Sequence, residues 1–298
     1  MTELNKLQQE LQDLKPTKEF FIGIDSDGCV FDTMEIKQKE CFCPNFIKHF
    51  ELQMVSKYAR EAWEFVNLYS KTRGTNRFLA LLEAVKLLGQ RPEVKELNAK
   101  MPDLKPLEKW IEIETKLGNP ALKTYAEKVN DEMIDKVLKW SLAVNEDIAE
   151  MVYGIVPFPY AKKSFEKIVE KSDSMVISQT PVEALEREWK ENDIEKYVHI
   201  IAGQEYGTKT EHLALGAKNK YPDNKILMIG DAPGDFKAAN TNGVLFYPIN
   251  PGHENESWKR FYEEALDKFY TLQYEGDYQK SLIEEFNSFL PEKPSWNL

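Results

Sequence analysis

The chain has 298 residues, 42% of them hydrophobic and 30% charged, with 16 Phe, 13 Tyr and 6 Trp. That composition excludes a disordered polypeptide and suits two domains, or one domain carrying a large insertion. Asp and Glu outnumber Lys and Arg by 50 to 39, a net charge of −11, which argues against a nucleic-acid binder that works through cationic surface. No apolar run reaches the ~20 residues of a membrane helix, and the polar start MTELNKLQQELQDLK lacks the apolar stretch of a signal peptide. Cys29, Cys41 and Cys43 cannot build a disulfide framework. A cytoplasmic protein that binds neither membrane nor nucleic acid is therefore expected.

Leu4, Leu7, Leu11 and Leu14 recur at helical spacing, so residues 3–14 predict a short amphipathic helix ended by Pro16. The run FFIGID (20–25) is apolar until it stops at an acid, which suits a strand buried on both faces of a parallel sheet. Four similar runs follow much later: SMVIS (174–178), VHIIA (198–202), KILMIG (225–230) and GVLFY (243–247). Between them, 181–192, 209–220 and 235–240 are helical in pattern. Strands alternating with helices predict an α/β fold, a Rossmann-like parallel sheet with crossover helices.

The interval between the first and second strands differs. Residues 51–70, 76–89, 106–118 and 122–140 all carry helical periodicity, punctuated by Gly and Pro, and no strand stands out. An all-helical cap over 35–154, inserted after the first strand, is expected, with 1–34 and 155–298 forming a discontinuous α/β core. GIVPFPY (154–160) is then the return hinge, and 253–290 supplies outer helices.

Ligands of open α/β sheets bind at the carboxyl ends of the strands. Asp25, Ser26, Asp27 and Gly28 follow the first strand; Ser178, Gln179 and Thr180 follow the second; Lys209 opens the helix after the third; Asp231 and Asp235 follow the fourth. Four carboxylates on one sheet edge repel one another, on the order of 4 kcal/mol per close pair at an intermediate dielectric. One lysine does not balance them, and oxygen-only ligands favour a hard dication such as Mg²⁺.

In that order and placement, FIGIDSDGCVFDT, SMVISQT, Lys209 and ILMIGDAPGD resemble the four signature motifs of the haloacid dehalogenase superfamily. The resemblance covers roughly residues 18–34 and 160–250. It implies an HAD-like phosphatase with Asp25 as nucleophile on phosphorus and Asp27 as general acid and base. Dehalogenases of the superfamily typically lack the second aspartate, and phosphonatases replace it, so phosphoryl transfer is the reaction implied. Mg²⁺ would be held by Asp25, the main-chain carbonyl of Asp27, and Asp231, with Asp235 close by; Ser178, Gln179 and Lys209 would bind the phosphoryl oxygens. The implied partner is a small phosphorylated metabolite, and the oligomeric state is open. A phosphomutase acting on a sugar phosphate shares every motif, and a non-catalytic phospho-binding protein is the alternative of another class.

Each residue also has a plainer reading. Thr180, Pro181 and Glu183 make a good helix start, with Thr180 as N-cap. Thr208 and Glu211 form a capping box that puts Lys209 at the first helical position, where a cation opposes the helix dipole and gains only if an anion is near. Asp32 is read as a cap of the following helix. In KTRGTNRF (71–78), Arg73 and Arg77 are substrate-contact candidates on a cap loop, against the alternative of a solvated turn. The four histidines show no ligand spacing, and Trp258 is read as helix packing.

Overall fold

A computed structural model describes residues 4–297. The chain divides into two compact units, Met1–Thr33 with Gly154–Leu290, and Met34–Tyr153 with Pro291–Leu298.

The first unit is built on five parallel strands: β1 (Phe20–Ile24), β2 (Ser172–Ile177), β3 (Ile200–Ala202), β4 (Ile226–Gly230) and β5 (Leu245–Pro248). Their order is β3-β2-β1-β4-β5. The chain leaves β1 to one side for β2 and β3, then returns to the other side for β4 and β5. That reversal places the topological switch point at the carboxyl end of β1. The five apolar runs all become strands. The side chains alternate as a pleated strand requires. Phe20, Ile22, Ile24, Leu227 and Ile229 join one buried layer with Phe165, Trp189 and Trp258. Phe21, Met175, Ile177, Met228 and Phe246 join the opposite one with Leu213. Each such side chain contributes about 1.5–3 kcal/mol on burial.

Gly23 is where the second layer closes. A Cβ there would stand 2.5 Å from Ile177 Cδ1 and 3.3 Å from Leu213 Cδ2. Leu213 lies on the helix Lys209–Gly216. The missing side chain therefore lets the helix that begins with Lys209 seat closely on the sheet.

The second unit is helical, and no strand occurs among its described residues. Its core stacks Trp63, Trp110 and Trp140 with Phe42, Phe46 and Phe78. Residues 33–49 form a helical run interrupted by a π-helical turn at Lys37–Phe42; Asp32 immediately precedes it, and no strong periodicity marks it in the sequence. The single helix expected over 122–140 is two, Asn119–Val129 and Glu132–Met151. Asn130 adopts a left-handed conformation (φ 48°), and Asp131 caps the next helix by accepting from the N–H groups of Met133 and Ile134. Asn and Asp are suited to those two positions, and together they outweigh continuous periodicity.

Residues 291–297 group with the helices, whereas the sequence reading assigned them to the core. The reason is Trp296, which packs edge-on to Phe65 at 5.5 Å and lies under the Arg91 guanidinium at 4.6 Å. Cys29, Cys41 and Cys43 are buried free thiols. No helix among the described residues is long and apolar enough to cross a membrane.

Candidate active site

The carboxyl end of β1 carries the first loop of the site. Asp25 continues the ladder, its N–H donating to the Ile229 carbonyl at 2.9 Å. The chain then turns back on itself. The Ser26 carbonyl accepts from the N–H groups of Cys29, Val30 and Phe31, and Gly28 takes a φ of 75° that a side chain would resist.

Three of the four predicted acids converge. Carboxylate oxygens of Asp25, Asp231 and Asp235 lie within 4.8 Å of one another, and all three residues are buried. Asp235 is held from the β4 side: its Oδ2 accepts from the N–H groups of Asp231 (3.2 Å) and Ala232 (3.0 Å). Gly230 makes this possible, because a Cβ there would fall 2.3 Å from the Asp235 Cβ. The helix runs Pro233–Asn242, so Asp235 is inside its first turn and Ala232 stands at the cap.

Lys209 lies between two of these acids. Its Nζ is 2.9 Å from Asp25 Oδ2 and 2.6 Å from Asp235 Oδ1. The capping box forms as expected, with Thr208 as N-cap and Lys209 as first helical residue. Burial raises the Asp25 carboxyl well above the ordinary range; Lys209 pulls it down, and Asp235 and Asp231 push it up. Burial likewise raises Asp235, against the pull of Lys209. Burial by itself would lower Lys209, but Asp235 and Asp25 outweigh it and hold the ammonium above its usual value. The cluster is thus a buried, acidic site in which one ammonium pairs with two of three clustered carboxylates.

Asp27 is oriented differently. Its carboxylate accepts from two hydroxyls, Thr33 Oγ1 on Oδ1 and Thr180 Oγ1 on Oδ2, the latter at 2.6 Å. Sequence reasoning missed Thr33. It read Thr180 as a helix cap, whereas the helix is Val182–Glu191 with Pro181 at the cap position. The Thr180 hydroxyl instead reaches Asp27, because β1 and β2 are hydrogen-bonded neighbours ending on the same edge.

Ser178 is buried at the end of β2, its N–H bonded to the Ala202 carbonyl and its Oγ accepting from Thr180 N–H at 3.2 Å. Gln179 turns its amide onto two carbonyls, Ser178 at 3.1 Å and Gly207 at 2.8 Å, and so braces this loop against the approach to Lys209. The Val182 N–H, at the start of the helix that follows, donates to Glu205 Oε2 at 3.1 Å.

Arg73 and Arg77 have tasks within the helical unit. Arg77 opens the helix Arg77–Gln90 instead of lying on a loop. Its Nη1 donates to Asn145 Oδ1 (2.8 Å), Ser141 Oγ (3.0 Å) and the Ser141 carbonyl (3.1 Å), and its guanidinium lies over the Phe42 ring. Burial lowers it to about 10. The Arg73 Nη1 donates to the Leu68 carbonyl at 2.9 Å. Both guanidiniums thus have partners within the helical unit, which neither the substrate-contact reading nor the solvated turn anticipates.

His212, three residues after Lys209, is fully buried, and burial, helped by the nearby ammonium, lowers its imidazole to about 4. The neutral ring is the folded form, so the unfolded chain binds the extra proton, and stability falls as the pH drops from about 6.5 towards 4. The loss is at most about 3 kcal/mol. His212→Phe is expected to flatten the pH dependence of the melting temperature between pH 7 and 4, measured by calorimetry in steps of pH.

No family model matches this chain, and no curated protein matches it. Solved structures resemble it at low identity. A haloacid dehalogenase-like family hydrolase from Streptococcus pneumoniae is 13% identical, over 82% of this chain and 92% of that one, with a TM-score of 0.43. A HAD-superfamily hydrolase of subfamily IA, variant 1, from Geobacter sulfurreducens is 11% identical, over 79% and 90%, with a TM-score of 0.39. A HAD-superfamily hydrolase from Ehrlichia chaffeensis is 13% identical, over 79% and 89%, with a TM-score of 0.37. These likenesses are distant, and no residue role rests on them.

Proposed function

We propose that this protein is an HAD-like phosphoric monoester hydrolase that uses Mg²⁺ and an aspartyl-phosphate intermediate on a small phosphorylated metabolite. One observation carries the reading: the buried Asp25 carboxylate ends the central strand 2.9 Å from the Lys209 ammonium, clustered with Asp231 and Asp235. A carboxylate in that setting is a poised nucleophile with a cation beside it to receive an anionic group.

In the reaction, an Asp25 oxygen attacks phosphorus, and the bond from phosphorus to the ester oxygen breaks. Asp27 supplies the proton to the leaving alkoxide. A water then attacks the same phosphorus while Asp27 takes its proton, and the bond to Asp25 breaks, releasing phosphate. With both oxygens accepting from threonines, Asp27 is arranged as the base; to act as the acid it exchanges one of those bonds for a proton. Ser178 and Lys209 bind the non-bridging oxygens, while Gln179 braces the loop that carries Ser178.

The all-oxygen, buried set of Asp25, Asp231 and Asp235 fits a hard dication, with the Asp27 carbonyl as a further ligand. When bound, Mg²⁺ neutralises charge between the carboxylate nucleophile and the phosphoryl group. The test is a turnover screen over phosphorylated sugars, nucleotides and small acids. Hydrolysis is expected with Mg²⁺, to vanish after exhaustive EDTA treatment and to return on Mg²⁺ addition. Turnover that survives chelation overturns the metal assignment.

A further inference from the structure

We infer that Trp189 and Trp258 are positioning residues that hold the loop between Asp25 and Phe31 in its working shape, each through its single indole N–H. Trp189 Nε1 donates to Ser26 Oγ at 3.0 Å, and Trp258 Nε1 donates to the Cys29 carbonyl at 2.6 Å. Ser26 is the residue between the proposed nucleophile and the proposed acid and base, and its own carbonyl closes the turn. Cys29 is the first residue whose N–H returns to that carbonyl. The loop is therefore fastened at its start and at its far side by donors from two separate helices, Val182–Glu191 and Glu254–Arg260.

The two indoles are themselves locked. Phe165 stacks on Trp189 at 5.6 Å and meets Trp258 edge-on at 5.9 Å, so the three rings form one continuous aromatic tier. Phe31, at the end of the loop, packs edge-on to Trp189 at 6.2 Å. Both tryptophans are fully buried. Burial alone does not account for the bonds: Trp110 and Trp140 are as deeply buried in the helical unit, yet their indole N–H groups have no acceptor among the described residues, whereas Trp63 beside them donates to Gln38 Oε1 at 2.9 Å. In the sheet unit both of the largest buried indoles aim their one donor at the same six-residue turn. A buried N–H fixes a direction that apolar contact does not.

The catalytic part of this inference rests on the phosphoryl-transfer reading; the clamping part does not. Trp189→Phe and Trp258→Phe keep an aromatic ring and delete the donor. Each is expected to lower kcat about tenfold, as displacement of a reacting group does, with KM within about twofold of the parent. Amide hydrogen exchange across residues 25–31 should quicken by about tenfold or more, while the amides of β4 stay protected. Ser26→Ala removes the acceptor and leaves the rings in place, so it serves if Trp189→Phe fails to fold; it should reproduce the Trp189→Phe values, and the double variant should be no worse than either single one. Unchanged exchange across 25–31 overturns the clamp whatever the turnover. Faster exchange with kcat unchanged overturns the positioning role. A parent protein without phosphatase turnover, but with the exchange effect, refutes the proposed reaction and leaves the clamp standing.

Discussion

Asp25→Asn is expected to abolish turnover, a loss on the order of 10⁴-fold or more, as when a nucleophile acting within a catalytic unit is removed. An amide is too weak a nucleophile to form the bond to phosphorus, and it cannot carry the phosphoryl group. The substitution is nearly isosteric, and it removes a charge that burial already disfavours. The variant should therefore fold and melt at or above the temperature of the parent. Loss of activity without loss of stability is the diagnostic pairing. Acid-quenched parent enzyme mixed with a ³²P-labelled monoester should retain label on the protein, and Asp25→Asn should retain none. A variant that keeps its rate at saturating Mg²⁺ would dismiss Asp25 as the nucleophile.

Lys209→Met is expected to lower kcat by about 10²- to 10³-fold, because it removes the preorganised cation proposed to bind the phosphoryl group. It also exposes how the site is held. The ammonium contacts Asp25 and Asp235 together, and removing one partner of a buried ionic group costs about 3–5 kcal/mol. That cost depends on pH with a definite sign. Asp25 and Asp235 are already raised in the folded state, so folding favours their protonated forms, and their contribution to stability declines as pH rises through the folded values. Without Lys209 the upward shift grows. The melting temperature of the variant, measured in EDTA, should fall further below that of the parent at pH 8 than at pH 5. A deficit that does not vary with pH would mean that lost packing, and not the unbalanced carboxylates, is the cause.

The proposed roles differ in how they announce themselves along the chain. Asp25, Lys209 and Asp231 each follow an apolar run or open a patterned helix, so a reader who accepts five parallel strands places them on one edge. The capping box at Thr208 and Glu211 even locates Lys209 at its helix start. Thr33 carries no such signal. It reaches Asp27 because the chain turns tightly through Gly28 and Val30, and hydroxyl residues at turn ends are too common to single out. Thr180 illustrates the opposite error, a local capping pattern overridden by a neighbour on the adjacent strand. The two tryptophans look in sequence like ordinary packing residues; only the direction of one N–H each, set by the Phe165 tier, distinguishes them from Trp110 and Trp140.

Local information thus specified this protein's strands, most of its helices and the ends on which its acids stand, because hydrophobic periodicity and capping act over a few residues. Tertiary structure alone decided that three acids meet while Asp27 turns to two threonines, that Arg77 packs inside the helical unit, and that residues 291–297 join the helices. Those outcomes depend on partners distant along the chain, and the exposure and direction of a side chain there are set by what the fold brings beside it.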